Sequence, residues 1–427
     1  MQKYKYRESG IQWLGKIPEH WKTTKIKNEF VVIPSNVDKR IEEDETPVKL
    51  CNYVDVYYND FITNKIEFME ATATDHEINK FILNEGDVLI TKDSEDPFDI
   101  AVAAVVKETQ EKLLCGYHLS MIRSINNKIS GEFLFWLLKD YAIASQLHRE
   151  AVGVTRWAIA SKHIKNSIIS CPPIKEQKAI AEYLKKTCQK IDKVIEIKER
   201  QFEKIQEYFL SVRNKLITKG IKNNKFKNVE EDTLKTIPEH WKVKKLRYLV
   251  ELKNGKLITN DELVDDGKYP VYGGNGIMGF TDKYNYEGEL LILGRVGAKC
   301  GNVHYTNEKI WVSDNAIAVR SKINYDFMLQ LLTNLDLHKL ASETAQPLLV
   351  GNNVKKLYVA VPPEKERSDI AKQISDLELN ISKLKEKSLN QIKLLKEYRQ
   401  SIIHECVTGK KQVADIAVEK EIKRAMA

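Results

Sequence analysis

The chain has 427 residues, 42% of them hydrophobic and 30% charged, with six cysteines and only 19 glycines. That length suits two or three domains, and the composition excludes a disordered, collagen-like or disulfide-scaffold protein. The net charge is +8, from 68 Lys+Arg against 60 Asp+Glu, and residues 175–227 alone hold 15 basic and 7 acidic residues, a surplus equal to that of the whole chain.

So concentrated a basic stretch suits a polyanion binder, because each Lys or Arg near a phosphate releases condensed counterions. The plainer alternative is a solvated helix face. At the N-terminus, MQKYKYRESG lacks the layout of a signal peptide, and no apolar run approaches the ~18–20 residues of a membrane span. Cys51, Cys115, Cys171, Cys188, Cys300 and Cys406 lie far apart with no C-x-x-C pair, so reduced thiols and a cytoplasmic location are expected, without a zinc site.

In chain order, the first marked segment is Ile17-Pro18-Glu19-His20-Trp21, which returns as Ile237-Pro238-Glu239-His240-Trp241. A body follows each. In the first, Asp87-Val88-Leu89-Ile90 reads as an apolar strand after Gly86, with a polar loop at 92–99 and a further strand at 119–124. Pro172-Pro173 then opens a long periodic segment, and Pro362-Pro363 opens its counterpart 190 residues later. Identities at that offset include Lys175/Lys365, Glu176/Glu366, Ile180/Ile370, Gln201/Gln391 and Tyr208/Tyr398. The second body repeats the plan, with Glu289-Leu290-Leu291-Ile292 after Gly288, a loop at 294–301 and a strand at 316–321. A shared scaffold with divergent loops points to one task with two specificities.

The periodic segments predict helices. Ile180, Leu184, Thr187, Ile191, Val194, Lys198, Gln201, Ile205, Tyr208 and Val212 step by four and three, and so do Ile370 through Ile402 in the second. That spacing keeps one seam toward a partner helix. Proline fits the entry of each helix, and Gly220 and Gly409 fit the exits. Both seams turn polar at Lys198/Gln201 and Ser388/Gln391, four residues that meet if the helices pair antiparallel. A second stripe, Cys188, Ile195, Phe202, Phe209 and Leu216, is the candidate docking face for another subunit; packing within the chain is the alternative. The expected fold is α+β: two mixed α/β bodies joined by two long helices packed as an antiparallel coiled coil about a pseudo-two-fold. The expected domains are 1–173 (tail and first body), 174–222 (central helix), 223–363 (second body), 364–410 (C-terminal helix) and 411–427 (tail).

Candidate DNA-reading residues come from the loops. In the first body they are Lys92, Thr155, Arg156, Trp157 and Lys162, with Arg123 at the end of its strand. In the second they are Tyr272, Asn275, Arg295, Lys299 and Asn352. Arg suits guanine and Asn suits adenine in the major groove, although each Arg equally suits a phosphate. Nothing looks catalytic: no Gly-Lys pair continues as a phosphate loop, no H-E-x-x-H occurs, and Asp96-Pro97-Phe98 reads as a loop turn rather than a methyltransferase tetrad.

Two bodies, each framed by IPEHW and Pro-Pro and followed by a long helix, resemble the specificity subunit of type I restriction–modification systems. Tyr6-Arg7-Glu8-Ser9-Gly10, Lys175-Glu176-Gln177 and Val312-Ser313-Asp314-Asn315 add to the likeness, while Lys365-Glu366-Arg367 departs slightly from it. The resemblance implies a non-catalytic DNA-recognition subunit of a restriction endonuclease and adenine-N6 methyltransferase complex. Each body would be a target recognition domain reading half of a bipartite, asymmetric site in double-stranded DNA. The helices would set the spacer and dock two methylation subunits, and two restriction/translocation subunits would complete the complex. S-adenosylmethionine, ATP and Mg²⁺ would belong to those partners, not to this chain. A stand-alone DNA-binding or decoy protein of the same fold, or a coiled-coil scaffold without a DNA role, are the alternatives.

Overall fold

In the computed structural model the described residues are 4–222, 225–231, 234–342 and 346–413. Contacts divide the chain into two compact units, one running up to Lys198 and resuming from Leu389, the other being Glu199–Ser388. Each unit contains one body and a stretch of both long helices.

The first unit is built on a five-stranded sheet in the order Phe30–Pro34, Leu119–Ser124, Val88–Thr91, Ala103–Val106, Phe61–Ile62, antiparallel except for the last pair. Its central strand, Val88–Thr91, is buried at every residue because both faces of the sheet are covered. Val88 and Ile90 pack with Phe133, Trp136 and Leu137, whereas Leu89 joins Met121 and Phe81 on the other face. This is the period-two alternation of a strand. The second unit repeats the order with four strands: Val250–Asn254, Ala316–Ser321, Leu290–Gly294, Val303–Thr306. Leu291 and Leu293 meet Phe327 and Met328, and Leu290 and Ile292 meet Ile310 and Val312. The two bodies are copies of one scaffold.

The long helices run Ile174–Lys219 and Glu364–Val407. Within the first unit, Ile180 and Leu184 share a cluster with Ile402 and Ile403, and Ile191 and Ile195 share one with Ile392 and Leu395. Asp192 Oδ1 accepts from Arg399 Nε at 2.9 Å, and Lys198 Nζ donates to Gln391 Oε1 at 2.7 Å. Rising numbers on one helix meet falling numbers on the other, so the segments are antiparallel. The second unit has the same sense, with Leu216 and Ile217 beside Ile370 and Ile374 and Lys385 over the Phe202 ring at 5.3 Å. The expected seam does not close everywhere: Tyr208 and Leu384 are 61% and 50% exposed. Of the four polar seam residues, Lys198 and Gln391 meet in the first unit, and Gln201 of the second is exposed.

The repeated IPEHW segment is a structural clamp. Glu176, in the first turn of the first long helix, accepts from the Trp21 indole at 2.9 Å and the Tyr4 hydroxyl at 2.7 Å, and its other oxygen lies 2.7 Å from His20 Nε2. Glu366 holds the same place in the second unit, 2.8 Å from His240 Nε2 and 3.2 Å from Trp241 Nε1. Trp21 and Trp241 are both fully buried. The C-terminal end of the second long helix closes on the N-terminal segment, where the Tyr6 hydroxyl donates to Gly409 O at 3.1 Å. Gly409 has φ +74°, and a Cβ there would lie 2.5 Å from Pro18 Cδ. Gly409→Ala is therefore expected to cost ~2 kcal/mol or more, the left-handed strain of ~1–2 kcal/mol plus the clash. Gly15→Ala, at φ +63° with nothing within 4 Å, should cost only the strain; urea unfolding of the two variants side by side checks the difference.

All six cysteines are free thiols. Among the described residues no His, Cys, Asp or Glu cluster could hold a metal ion, and no helix is long and apolar enough to cross a membrane.

Candidate nucleic-acid interface

Each unit has a corner just past its central strand, and the two corners are tied by the same backbone hydrogen bonds. In the first, Lys92 N–H donates to His118 O at 3.0 Å, and Lys92 O accepts from Ile159 N at 2.9 Å. In the second, Arg295 N–H donates to Asn315 O at 2.9 Å, and Arg295 O accepts from Leu349 N at 2.8 Å. Beside these bonds, Asp93 pairs with Ala158 in one unit and Val296 bridges to Leu348 in the other. Lys92 thus corresponds to Arg295, His118 to Asn315, Asp93 to Val296 and Arg156 to Gln346. The backbone is shared and the side chains are exchanged.

The corner of the first unit gathers most of the residues expected there. Arg156 forms an ion pair with Asp93 at 2.7 Å and keeps half its side chain exposed. Thr155 is exposed, Trp157 is half-buried in the strand Trp157–Ala158, and Lys162 is exposed on the short helix Ser161–Asn166. Lys92 is at the corner but turns inward. Its ammonium donates to Ser35 O at 2.6 Å and lies 5.4 Å from the Tyr117 ring, and burial lowers its pKa. In the second unit Asn275 and Lys299 are exposed and line one groove with Asn315 and Gln346. The turns that build it need glycine, at φ +103° for Gly276 and +85° for Gly297. Arg295 donates from Nη1 to Asp314 O at 3.0 Å, Tyr272 is half-buried beside the groove, and Asn352 is exposed on the helix Gly351–Lys356.

Two expectations need correction. Arg123 is not at the corner. It forks onto Asp87, with Nε 2.8 Å from Oδ1 and Nη2 2.6 Å from Oδ2, and also donates to Ile82 O at 2.6 Å. Hydrogen bonding to Asp87 pushes the guanidinium pKa up. This fork on a buried carboxylate ties the scaffold together, and the cleft beside it carries Glu85, Glu132 and Glu182 along with Lys178. The second correction concerns the helix stripe. Cys188, Ile195 and Leu216 are buried within the chain, and Phe209 packs against the core of the second unit. Phe202 is half-covered by Lys385. The stripe is spent on internal packing, so it is not an open docking face.

Asp96-Pro97-Phe98 is a turn, as its sequence suggested: the Asp96 carboxylate accepts from Phe98 N–H at 2.8 Å and caps a single 3₁₀ turn. Sequence reasoning passed over Asp93, His118, Asn315 and Gln346. Gln346 was within reach, because the 190-residue offset that aligns the helices also aligns it with Arg156.

Comparison with known proteins matches this arrangement. The family model for the type I restriction modification DNA specificity domain matches twice, over residues 18–207 and 238–394. The putative type I restriction enzyme MjaX specificity subunit of Methanocaldococcus jannaschii is 24% identical over 97% of this chain and 99% of its own length. The type I restriction enzyme EcoprrI specificity subunit of Escherichia coli is 32% identical over 28% of this chain and 32% of its own length. Among solved structures, a chain from work on complex assembly and conformational transition of the type I R-M system superposes with a TM-score of 0.73 at 15% identity, covering 92% of this chain and 99% of that one. The HsdS subunit from Thermoanaerobacter tengcongensis gives 0.57 at 16% identity, covering 92% and 98%. The chain belongs to the family of type I restriction–modification DNA specificity subunits, the non-catalytic members of those systems.

Proposed function

We propose that each unit reads one half of a bipartite, asymmetric site in double-stranded DNA, through the corner that follows its central strand. The observation that carries this reading is the duplicated corner: one set of backbone hydrogen bonds presents Lys92, Asp93, His118 and Arg156 in one unit and Arg295, Val296, Asn315 and Gln346 in the other. A scaffold that is held constant while the side chains at its corner change is what two half-sites of different sequence require. The long helices set the number of unspecified base pairs between the halves and carry two methylation subunits, and two restriction/translocation subunits complete the complex in the cytoplasm. S-adenosylmethionine, ATP and Mg²⁺ act on those partners.

Exchanging residues 242–361 for the equivalent body of another family member is expected to change one half-site and leave the other intact. Base selection by the hybrid against the parent checks this, and a change in both halves would refute the modular reading. Binding to a duplex carrying the site should also weaken with salt, log affinity falling by about 0.9 per phosphate contact for each unit of log salt. The absence of a salt-dependent affinity for DNA would instead favour a scaffold without a DNA role.

A further inference from the structure

We propose that Arg156 reads a guanine in the half-site of the first unit and that Asp93 is the positioning residue that aims it. This inference rests on the reading that each corner contacts one half-site. The guanidinium is braced by Asp93 along its Nε edge. Nε donates to Asp93 Oδ1 at 2.9 Å, and Nη2 reaches the same oxygen at 2.7 Å. His118 Nδ1 also lies 2.5 Å from that oxygen. Arg156 Nη2 stands beside that imidazole too, 3.0 Å from Nδ1 and 3.4 Å from Nε2.

An arginine has five N–H groups in a planar fork. Nε and one N–H of Nη2 are committed to Asp93, so the pair of parallel donors left for a ligand is the Nη1/Nη2 edge, with Nη2 beside the His118 ring. The Arg156 side chain is 51% exposed while that of Asp93 is only 12% exposed, so the fork stands at the surface on a buried brace. Its hairpin is open to a ligand, since the neighbouring Val154 is 94% exposed.

Two parallel donors match the major-groove edge of guanine, whose O6 and N7 both accept. Adenine offers N7 beside an amino donor at N6, which would face an N–H of the fork, so a fork held in place discriminates against it. Bracing also removes in advance the rotamer freedom that a loose arginine loses on binding. In the second unit the equivalent positions are Val296 and Gln346, with neither carboxylate nor guanidinium. The Asp93–Arg156 pair therefore has no counterpart at the matching positions of the second unit.

The test is selection from a randomised duplex library by the full chain in complex with its methylation subunits, as wild type, Arg156→Gln, Arg156→Lys and Asp93→Asn. The wild type should enrich a split motif with one guanine that Arg156→Gln relaxes or replaces, every other position being kept. The preference lost at that guanine should be roughly 5- to 150-fold, the range of one bidentate base contact. Arg156→Lys keeps the charge without the fork and should lose the same position. Asp93→Asn should weaken the guanine preference without replacing it, which a purely structural role would not do. An unchanged motif bound more weakly at all sequences would make Arg156 a phosphate contact and overturn the inference while sparing the half-site reading. If the wild type enriches no split motif, the half-site reading fails and this inference with it.

Discussion

Trp21→Ala is expected to destabilise the protein by about 3–5 kcal/mol, the range for truncating a fully buried large aromatic side chain. Trp21 is 1% exposed and packs with Leu14 and Ile17 in the main core of the first unit. Its indole N–H is also one of three groups holding Glu176 at the head of the first long helix. The substitution opens a cavity and loosens the point where body and helix are joined. Trp241→Ala should act alike in the second unit, where Trp241 is 0% exposed and Glu366 takes the place of Glu176. His20→Ala touches the same carboxylate from an exposed position and should cost ~1 kcal/mol or less. Denaturant unfolding of the three variants checks the ranking, and a loss for Trp21→Ala no larger than that for His20→Ala would contradict the clamp.

The second large effect separates scaffold from interface. Arg123→Ala is expected to cost about 3–5 kcal/mol, because it removes the partner of a buried carboxylate. The Asp87 side chain is 3% exposed, and the remaining donor to it is the Asn84 backbone N–H at 2.7 Å. Adding Asp87→Asn should recover part of the loss by removing the stranded charge. Arg156→Ala, by contrast, removes a half-exposed arginine and should cost ~1 kcal/mol or less. Urea unfolding of these variants gives the comparison. An Arg123→Ala protein as stable as the wild type would return Arg123 to the candidate interface.

The contrast between these arginines shows where sequence reading stops. Arg123 ends an apolar strand and looks like an outward cation, since its partner Asp87 lies 36 residues earlier with nothing local to tie the two. The central strands were visible as apolar runs after a glycine, and the long helices as a seam between proline and glycine, because those signals are local. The IPEHW and Lys-Glu segments were visible as repeats, but their purpose was not. Recurrence does not show contact, and His20 and Glu176 are 156 residues apart.

The stripe through Cys188 and Leu216 failed for a related reason. Helical periodicity says which residues share a face and not what covers it, and here the chain's own bodies and second helix do. At the corners, Arg156, Asn275 and Lys299 were reachable from residue type and glycine-rich loops. Asp93, His118 and Asn315 were not. They come together through strand order and backbone bonds between segments whose lengths differ in the two bodies.

The central claim is that this chain chooses a split DNA target. Its most direct test is single-molecule sequencing of genomic DNA from cells that express a methylation subunit of the same system, with and without this chain. The account predicts N6-methyladenine at one bipartite motif, present only when this chain is made. Methylation at the same sites without it, or no motif from a soluble complex of the two proteins, would contradict the account.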